Sequence, residues 1–388
     1  METSSHLTRE AMWIAHRERA RTEDCEGVSP SIDQKICCAW HMTRFAIITG
    51  ANAPSIGYRA AQMLAGAPHR FHVILACRNR TRGFEAQASI LAADPEAKAT
   101  FLECDLADLE SVRSFVADFR ALQDGEPKKH GLSLLLLNAG VGFAYEKERR
   151  LTEQQYEEKI GVNHLGHFLL TNLLLPDLQR SRAARVVVVS SSLHDPKSAG
   201  GQRGGKACTL ALDDLQLEEE GAYESAFAYK RSKLANVMFA YELKRKLAAS
   251  MCKTVHVSVV SPGFIPSTGL SRDAGILGRF FLQWVLDGLL KWVGLVNFTR
   301  TVDEGATAYV LCATSDDCVD GGYHQLTKEG SLEAIPSSEE SYDEAKAKKL
   351  WQLSSRLTES QGSVADLHSL SPPLKAQQGA AGMRSDLI

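Results

Sequence analysis

The sequence predicts a doubly wound α/β fold, with a mostly parallel seven-stranded sheet and helices on both faces. Two observations carry this. Between Thr43 and Tyr323 short apolar runs alternate with helical patterns, as in successive βαβ units. The runs are also near-continuously apolar rather than alternating, as expected of strands covered on both sides.

The elements read in order along the chain. Phe45–Thr49 is the first strand and Ile56–Ala65 its helix. Phe71–Cys77, Thr100–Cys104, Ser133–Asn138, Arg185–Ser190 and Val255–Ser261 read as further strands. The helical patterns between and after them are Arg82–Ala93, Leu109–Leu122, Thr152–Leu178, Ala226–Ala248 and Val302–Ala313. Right-handed crossovers would place a ligand at the carboxyl ends of the strands. His194–Gly221, with Gly200, Gly201, Gly204 and Gly205, reads as a long flexible insertion, and Leu270–Phe298 as an apolar helical excursion. The expected organisation is a disordered leader (1–42), one α/β domain (43–358) and a disordered tail (359–388), the tail rich in Ser, Gly, Pro and Gln.

Composition excludes several classes. A net charge of −3 over 388 residues argues against nucleic-acid binding, which calls for a basic excess. The nine cysteines are scattered, with no C-x-x-C pair. Neither a disulfide framework nor a metal site is indicated, and a reducing, intracellular compartment is expected, the cytoplasm first. The most apolar stretch, Gly275–Phe298, carries Arg279, Asp287 and Lys291 and four glycines, so it does not read as a membrane span. The leader mixes Arg17, Arg19 and Arg21 with Glu10, Glu18, Glu23, Asp24 and Glu26, unlike a secretory signal or a transit peptide.

The chemistry sits at the strand ends. Gly50, Asn52, Ser55, Ile56 and Gly57 form a turn into a helix, which can offer backbone N–H groups and a helix N-terminus to a pyrophosphate. Taken alone, the same turn could be a simple tight turn capped by Ser55. The second strand ends Cys77-Arg78-Asn79, with no acid to bind a ribose 2′-hydroxyl, and Arg78 suits the 2′-phosphate of NADP. The third ends Cys104-Asp105-Leu106, where a carboxylate could meet an adenine amino group. Asn138-Ala139-Gly140 closes the fourth, Ser190-Ser191-Ser192 the fifth, and Pro262-Gly263 the sixth, followed by Ile265 and Ser267. Asn163 lies within a helix, and Tyr229 and Lys233 share a helix face at i and i+4. A tyrosine near its ordinary pKa of ~10 is a poor acid–base catalyst at neutral pH. An ammonium close by should lower it.

In this order the motifs resemble the short-chain dehydrogenase/reductase family over roughly 43–357. The resemblance implies a Rossmann-type fold, NADP(H) as cofactor and a catalytic tetrad of Asn163, Ser191, Tyr229 and Lys233. Ser191 would position the substrate oxygen, Tyr229 deliver a proton, Lys233 bind the ribose, and Asn163 anchor a relay to Lys233. Within the family, Asn163–Leu170 and Ala228–Asn236 look like the branch of retinol dehydrogenases and protochlorophyllide oxidoreductases, with Pro262–Leu270 and Trp351 closer to the latter. Three departures stand out. The phosphate turn is one residue longer than the family pattern and has Pro54-Ser55 where a glycine is usual. Ala235 replaces a cysteine of the protochlorophyllide enzymes, and Ser191 a threonine common in them.

The resemblance implies an NADPH-dependent oxidoreductase that transfers hydride to a bulky hydrophobic carbonyl or conjugated double bond. The alternatives are a light-dependent protochlorophyllide reductase, with a plastid location, and a non-catalytic NADP-binding scaffold. Leu270–Phe298 reads as a lid over an apolar small-molecule substrate, with helix packing or a membrane-surface helix as alternatives; self-association stays open. His164 and His167, at i and i+3, read as packing or capping groups rather than metal ligands, and His194 as a residue that could line the site.

Overall fold

The computed structural model describes residues 43–124, 131–142, 148–198, 200–202, 205–265 and 300–359. The expected leader, the lid, Ser267 and the tail from 360 onward lie outside the described residues. Eight strands form one sheet in the order β3-β2-β1-β4-β5-β6-β7-β8. They are β1 (Phe45–Thr49), β2 (His72–Cys77), β3 (Lys98–Glu103), β4 (Leu132–Leu137), β5 (Ala184–Val189), β6 (Val255–Ser261), β7 (Tyr323–Leu326) and β8 (Leu332–Ile335). All pairings are parallel except β7–β8. The eighth strand, an antiparallel edge, is one more than the sequence suggests, because a run of four residues is too short to carry a strand period.

The chain reverses direction along the sheet between β1 and β4. β1 lies between β2 and β4, and the crevice at their carboxyl ends is where open α/β sheets bind ligands. One sheet face is covered by α1 (Ile56–Ala65), α2 (Arg80–Ala93) and the helix Val302–Thr314, whose Ala306, Tyr309 and Val310 pack with Ala60, Leu64 and Val260. The other is covered by α3 (Leu109–Asp124), α5 (His167–Gln179), α6 (Ser225–Ala249) and α8 (Glu344–Glu359), α4 being the turn Glu158–Ile160 and α7 the helix Val302–Thr314. β1, β2 and the inner residues of β4–β6 are buried along nearly their whole length, so the uniform apolar runs follow from two-sided cover.

Two expectations change. The helix read from Thr152 begins at Glu158 instead. Gln155 has φ of +64°, Leu151 bridges Glu157, and the Glu157 carboxylate caps the Lys159 and Ile160 amides, so a turn precedes the helix. The segment read as a flexible insertion is anchored along its described residues. Lys230 Nζ donates to the Gly201 and Lys206 carbonyls, Arg231 to those of Ala211 and Asp214, and Leu210 is fully buried. The glycines alone mislead, because the cations that hold the segment lie on α6.

Candidate active site

The glycine turn is built by close approach. Gly50 has φ of +69°, and a Cβ there would lie 2.9 Å from Ala139 Cα; one on Gly57 would lie 2.3 Å from Asn138 Nδ2. Asn138 Nδ2 donates to the Thr49 carbonyl at 2.8 Å, tying the β4 end to the β1 end. Ser55 caps α1, accepting from the Tyr58 amide at 3.0 Å. This leaves the N–H groups of Ile56 and Gly57, which a helix cannot satisfy internally, at the sheet's carboxyl edge. The turn thus offers a phosphate its N–H groups and helix end even with Pro54 in place.

Arg78, beyond β2, is exposed and makes no hydrogen bond or ion pair among the described residues, whereas Arg80 pairs with Glu103 at 2.8 Å. Asp105 spends one oxygen on the Ala107 amide at 2.9 Å. Leu106 is buried, and its carbonyl lies 2.6 Å from where a Cβ on Gly166 would be. Pro262 and Ile265 pack on Gly305 of α7, and Gly263 has φ of +83° beside Arg300. These groups follow the carboxyl ends of β1, β2, β3 and β6, and their chemistry suits a dinucleotide: N–H donors for a pyrophosphate and a guanidinium unpaired among the described residues.

Tyr229 and Lys233 lie on the first turns of α6, with Ser191 facing them from the end of β5. The Ser191 hydroxyl neighbours the Tyr229 phenol. Lys233 Nζ stands 5.6 Å from the Tyr229 ring centroid and donates to the Val189 carbonyl at 3.3 Å. Burial pushes the Tyr229 phenol up to about 12, with Ser191 pulling the other way, and brings the Lys233 ammonium down to about 8. The expected depression of Tyr229 by Lys233 is therefore not what this site displays. The ammonium lies over the ring and on a carbonyl, and dehydration of the phenolate outweighs it.

Asn163 belongs to a π-helical turn, Gly161–Gly166, between α4 and α5. Such single-turn irregularities re-aim side chains. Its amide oxygen accepts from the Val141 amide at 2.8 Å, and its Nδ2 donates to the Val141 carbonyl and to Ser232 Oγ at 2.9 Å. Asn163 and Lys233 both border Gly140, where a Cβ would lie 3.0 Å from Asn163 Oδ1 and 3.5 Å from Lys233 Nζ. So the asparagine holds the loop after β4 against α6 beside Lys233. Ser190 Oγ donates to the Lys233 carbonyl at 2.8 Å and fixes α6 against β5.

The histidines resolve by their partners. His167 Nδ1 donates to the Asn163 carbonyl at 3.0 Å, and its Nε2 meets Thr49 Oγ1 at 2.9 Å. His164 Nε2 meets Ser354 Oγ at 2.8 Å. His194 Nδ1 donates to the Ser191 carbonyl and its Nε2 accepts from the Ser338 amide, so it braces the strand end from behind. Thr49 is the residue that sequence reading passed over. Its Oγ1 accepts from the Asn138 and Ala139 amides, both at 2.9 Å, and can donate to His167. A threonine ending a strand gives no signal of such a hub.

The pattern of the short chain dehydrogenase family matches residues 44–202. Retinol dehydrogenase 14 of Mus musculus is 37% identical over 79% of the chain and 84% of its own length. Polyprenol dehydrogenase of Homo sapiens is 34% identical over 81% and 85%. A chloroplastic protochlorophyllide reductase of Marchantia paleacea is 32% identical over 80% and 67%. Among solved structures, an uncharacterized protein from Mycobacterium paratuberculosis superposes with a TM-score of 0.59 at 30% identity, covering 83% of this chain and 95% of that one. The expected branch, retinol dehydrogenases and protochlorophyllide reductases, is thus the company this chain keeps.

Proposed function

The chain belongs to the short-chain dehydrogenase/reductase family of oxidoreductases, and on that premise we propose that it uses NADPH to reduce a bulky hydrophobic carbonyl or conjugated double bond. The observation that carries this is the Ser191–Tyr229–Lys233 group at the carboxyl edge of the sheet, beside a turn fit for a pyrophosphate. Bound there, NADPH would supply hydride from the nicotinamide C4. Arg78 would hold the 2′-phosphate, and the Ile56 and Gly57 amides the pyrophosphate.

Ser191 would accept or donate at the substrate oxygen and hold it beside the phenol. Tyr229 is protonated at neutral pH, burial raising its phenol to about 12, so it would give that proton only as developing negative charge makes the substrate oxygen the stronger base. Lys233, mostly charged below its value of about 8, would bind the ribose and stabilise the phenolate left behind. Two relatives act, by their names, on retinol and polyprenol, both long apolar alcohols, which supports an apolar substrate here. Ala235, on α6, is fully buried in the core, so nothing at that position supplies the thiol of the photochemical enzymes. A non-catalytic scaffold would have no need of all four tetrad residues.

Among the described residues no helix is long and apolar enough to cross a membrane. The test is the purified chain with NADPH, in light and in darkness, against retinoids, steroids, quinones and chlorin pigments. Dark turnover of an apolar carbonyl or enone is expected. Conversion of protochlorophyllide only under illumination, with no dark activity on any carbonyl, would replace this reading with the photochemical one.

A further inference from the structure

On the opposite face of the sheet from Tyr229, three soft or borderline ligands converge from separate segments. Cys312 lies in the last turn of α7, Cys318 in the loop that follows, and His324 is the second residue of β7. All three are buried, and one ligand atom from each lies within 4.8 Å of the other two. The spacing is C-x5-C-x5-H, outside the C-x-x-C pattern by which such sites are usually spotted. We propose that Cys312, Cys318 and His324 form a binding site for a thiophilic d10 cation, zinc being the probe that tests it.

The surroundings have the features such a site needs. A ligating histidine commonly donates its second ring N–H to a carbonyl, which fixes its tautomer and aims the other nitrogen. His324 Nδ1 does this to the Val259 carbonyl at 3.2 Å. Its Nε2 is an acceptor, at present of the Val319 amide at 3.0 Å. That amide adjoins Cys318, so a cation that takes the lone pair displaces its N–H. Gly322 lets the ring sit where it does, since a Cβ there would lie 2.7 Å from His324 Cε1. The buried Ser258 hydroxyl neighbours both sulfurs. Zinc bonds to sulfur at roughly 2.3 Å and to nitrogen at roughly 2.0 Å, so tetrahedral ligand atoms stand about 3.5–4 Å apart. The triad need contract little. Two thiolates, a neutral imidazole and a divalent cation sum to zero charge, and Arg185, whose charge also acts on both sulfurs, is held by the Cys312 carbonyl at 3.2 Å and by Asp316 at 3.6 Å. Binding would release the two thiol protons and clamp the end of α7 to β7.

The experiment is zinc titration of the reduced full-length chain against a chromogenic chelator, with cobalt substitution read by thiolate-to-cobalt charge-transfer absorption. One tight equivalent is expected, and it is expected to survive C252S, which alters a cysteine outside the triad. C312S and C318S should each abolish the charge-transfer band, and H324A should weaken zinc by at least ~10–100-fold. Saturating zinc should also raise the wild-type Tm by roughly 5 °C at a hundredfold excess over Kd, a reading that needs no variant to fold. No tight equivalent in the reduced wild type, or folded C312S and C318S proteins with wild-type affinity, would overturn the proposal.

Discussion

At the scale of single residues, Tyr229 and Lys233 make opposite demands on pH. Tyr229 stays protonated through the neutral range, whereas burial brings Lys233 down to about 8. Raising the pH through about 8 removes the ammonium, so reductive kcat/KM should fall on that limb while the phenol is unchanged. Lys233→Met should abolish the limb and weaken cofactor binding. Tyr229→Phe should lower turnover by roughly 10²-fold or more, the usual worth of a positioned acid, with cofactor affinity within a few-fold. Initial rates across pH with direct cofactor titration separate these outcomes, and an active Tyr229→Phe enzyme would remove the proton-donor role. Arg78 makes a second residue-scale claim. Its guanidinium is exposed and unengaged among the described residues, unlike the paired Arg80. Arg78→Ala should therefore weaken NADPH far more than NADH, because only the first offers a 2′-phosphate to a charge-assisted bond. Equal losses for both cofactors would move the phosphate site elsewhere.

At the scale of elements, the active crevice depends on bonds between strand ends rather than within strands. Thr49 Oγ1 receives two backbone amides of the loop after β4 and faces His167, which in turn holds the carbonyl of Asn163. Thr49→Val keeps the shape but strips the acceptor from both amides. A loss of about 1–3 kcal/mol in unfolding free energy is expected from groups left unsatisfied. Urea denaturation measures it, and a neutral result would show that water replaces the hydroxyl. The same elements explain what the sequence made legible. Strand runs and the ordered motifs Gly50–Gly57, Asn138–Gly140, Ser191, Tyr229 and Lys233 are local patterns, and they mark the fold and the crevice. The turn before Glu158 is local but holds no Gly or Pro to mark it, whereas the anchoring of 205–217 and the Thr49 hub are long-range. Each of these two depends on partners remote in the chain (Lys230 and Arg231 for the anchored segment, His167 for Thr49) whose side chains carry no spacing signal. Tyr229 shows the same limit in electrostatics. Its i+4 ammonium is visible in sequence, but the burial that outweighs it is a property of the assembled site.

At the scale of the whole molecule, the helical layer behind the active crevice carries a pH dependence of its own. His164 joins the π-helical turn to α8 through Ser354, and His167 joins the same turn to β1 through Thr49. Both rings are enclosed, and burial lowers them from the ordinary 6.5 to about 4 and about 3. Below pH 6.5 the unfolded chain takes up a proton at each imidazole that the folded protein refuses until the pH nears those lower values. The unfolded state then binds more protons, so stability is whole above about 6.5 and falls as the pH drops. Between pH 7.5 and 5 the loss should be on the order of 2 kcal/mol for each ring, since each tenfold difference in proton affinity between the two states is worth about 1.4 kcal/mol. The direction is opposite to that of catalysis: the Lys233 limb costs activity on the alkaline side, while the histidines cost stability on the acid side. Urea unfolding at several pH values checks this. His164→Asn and His167→Asn should lower stability at neutral pH, where the rings' bonds are lost, yet flatten the acid slope, because an amide takes up no proton. An acid slope left unchanged in both variants would place its origin in other groups and refute the part given to these two histidines.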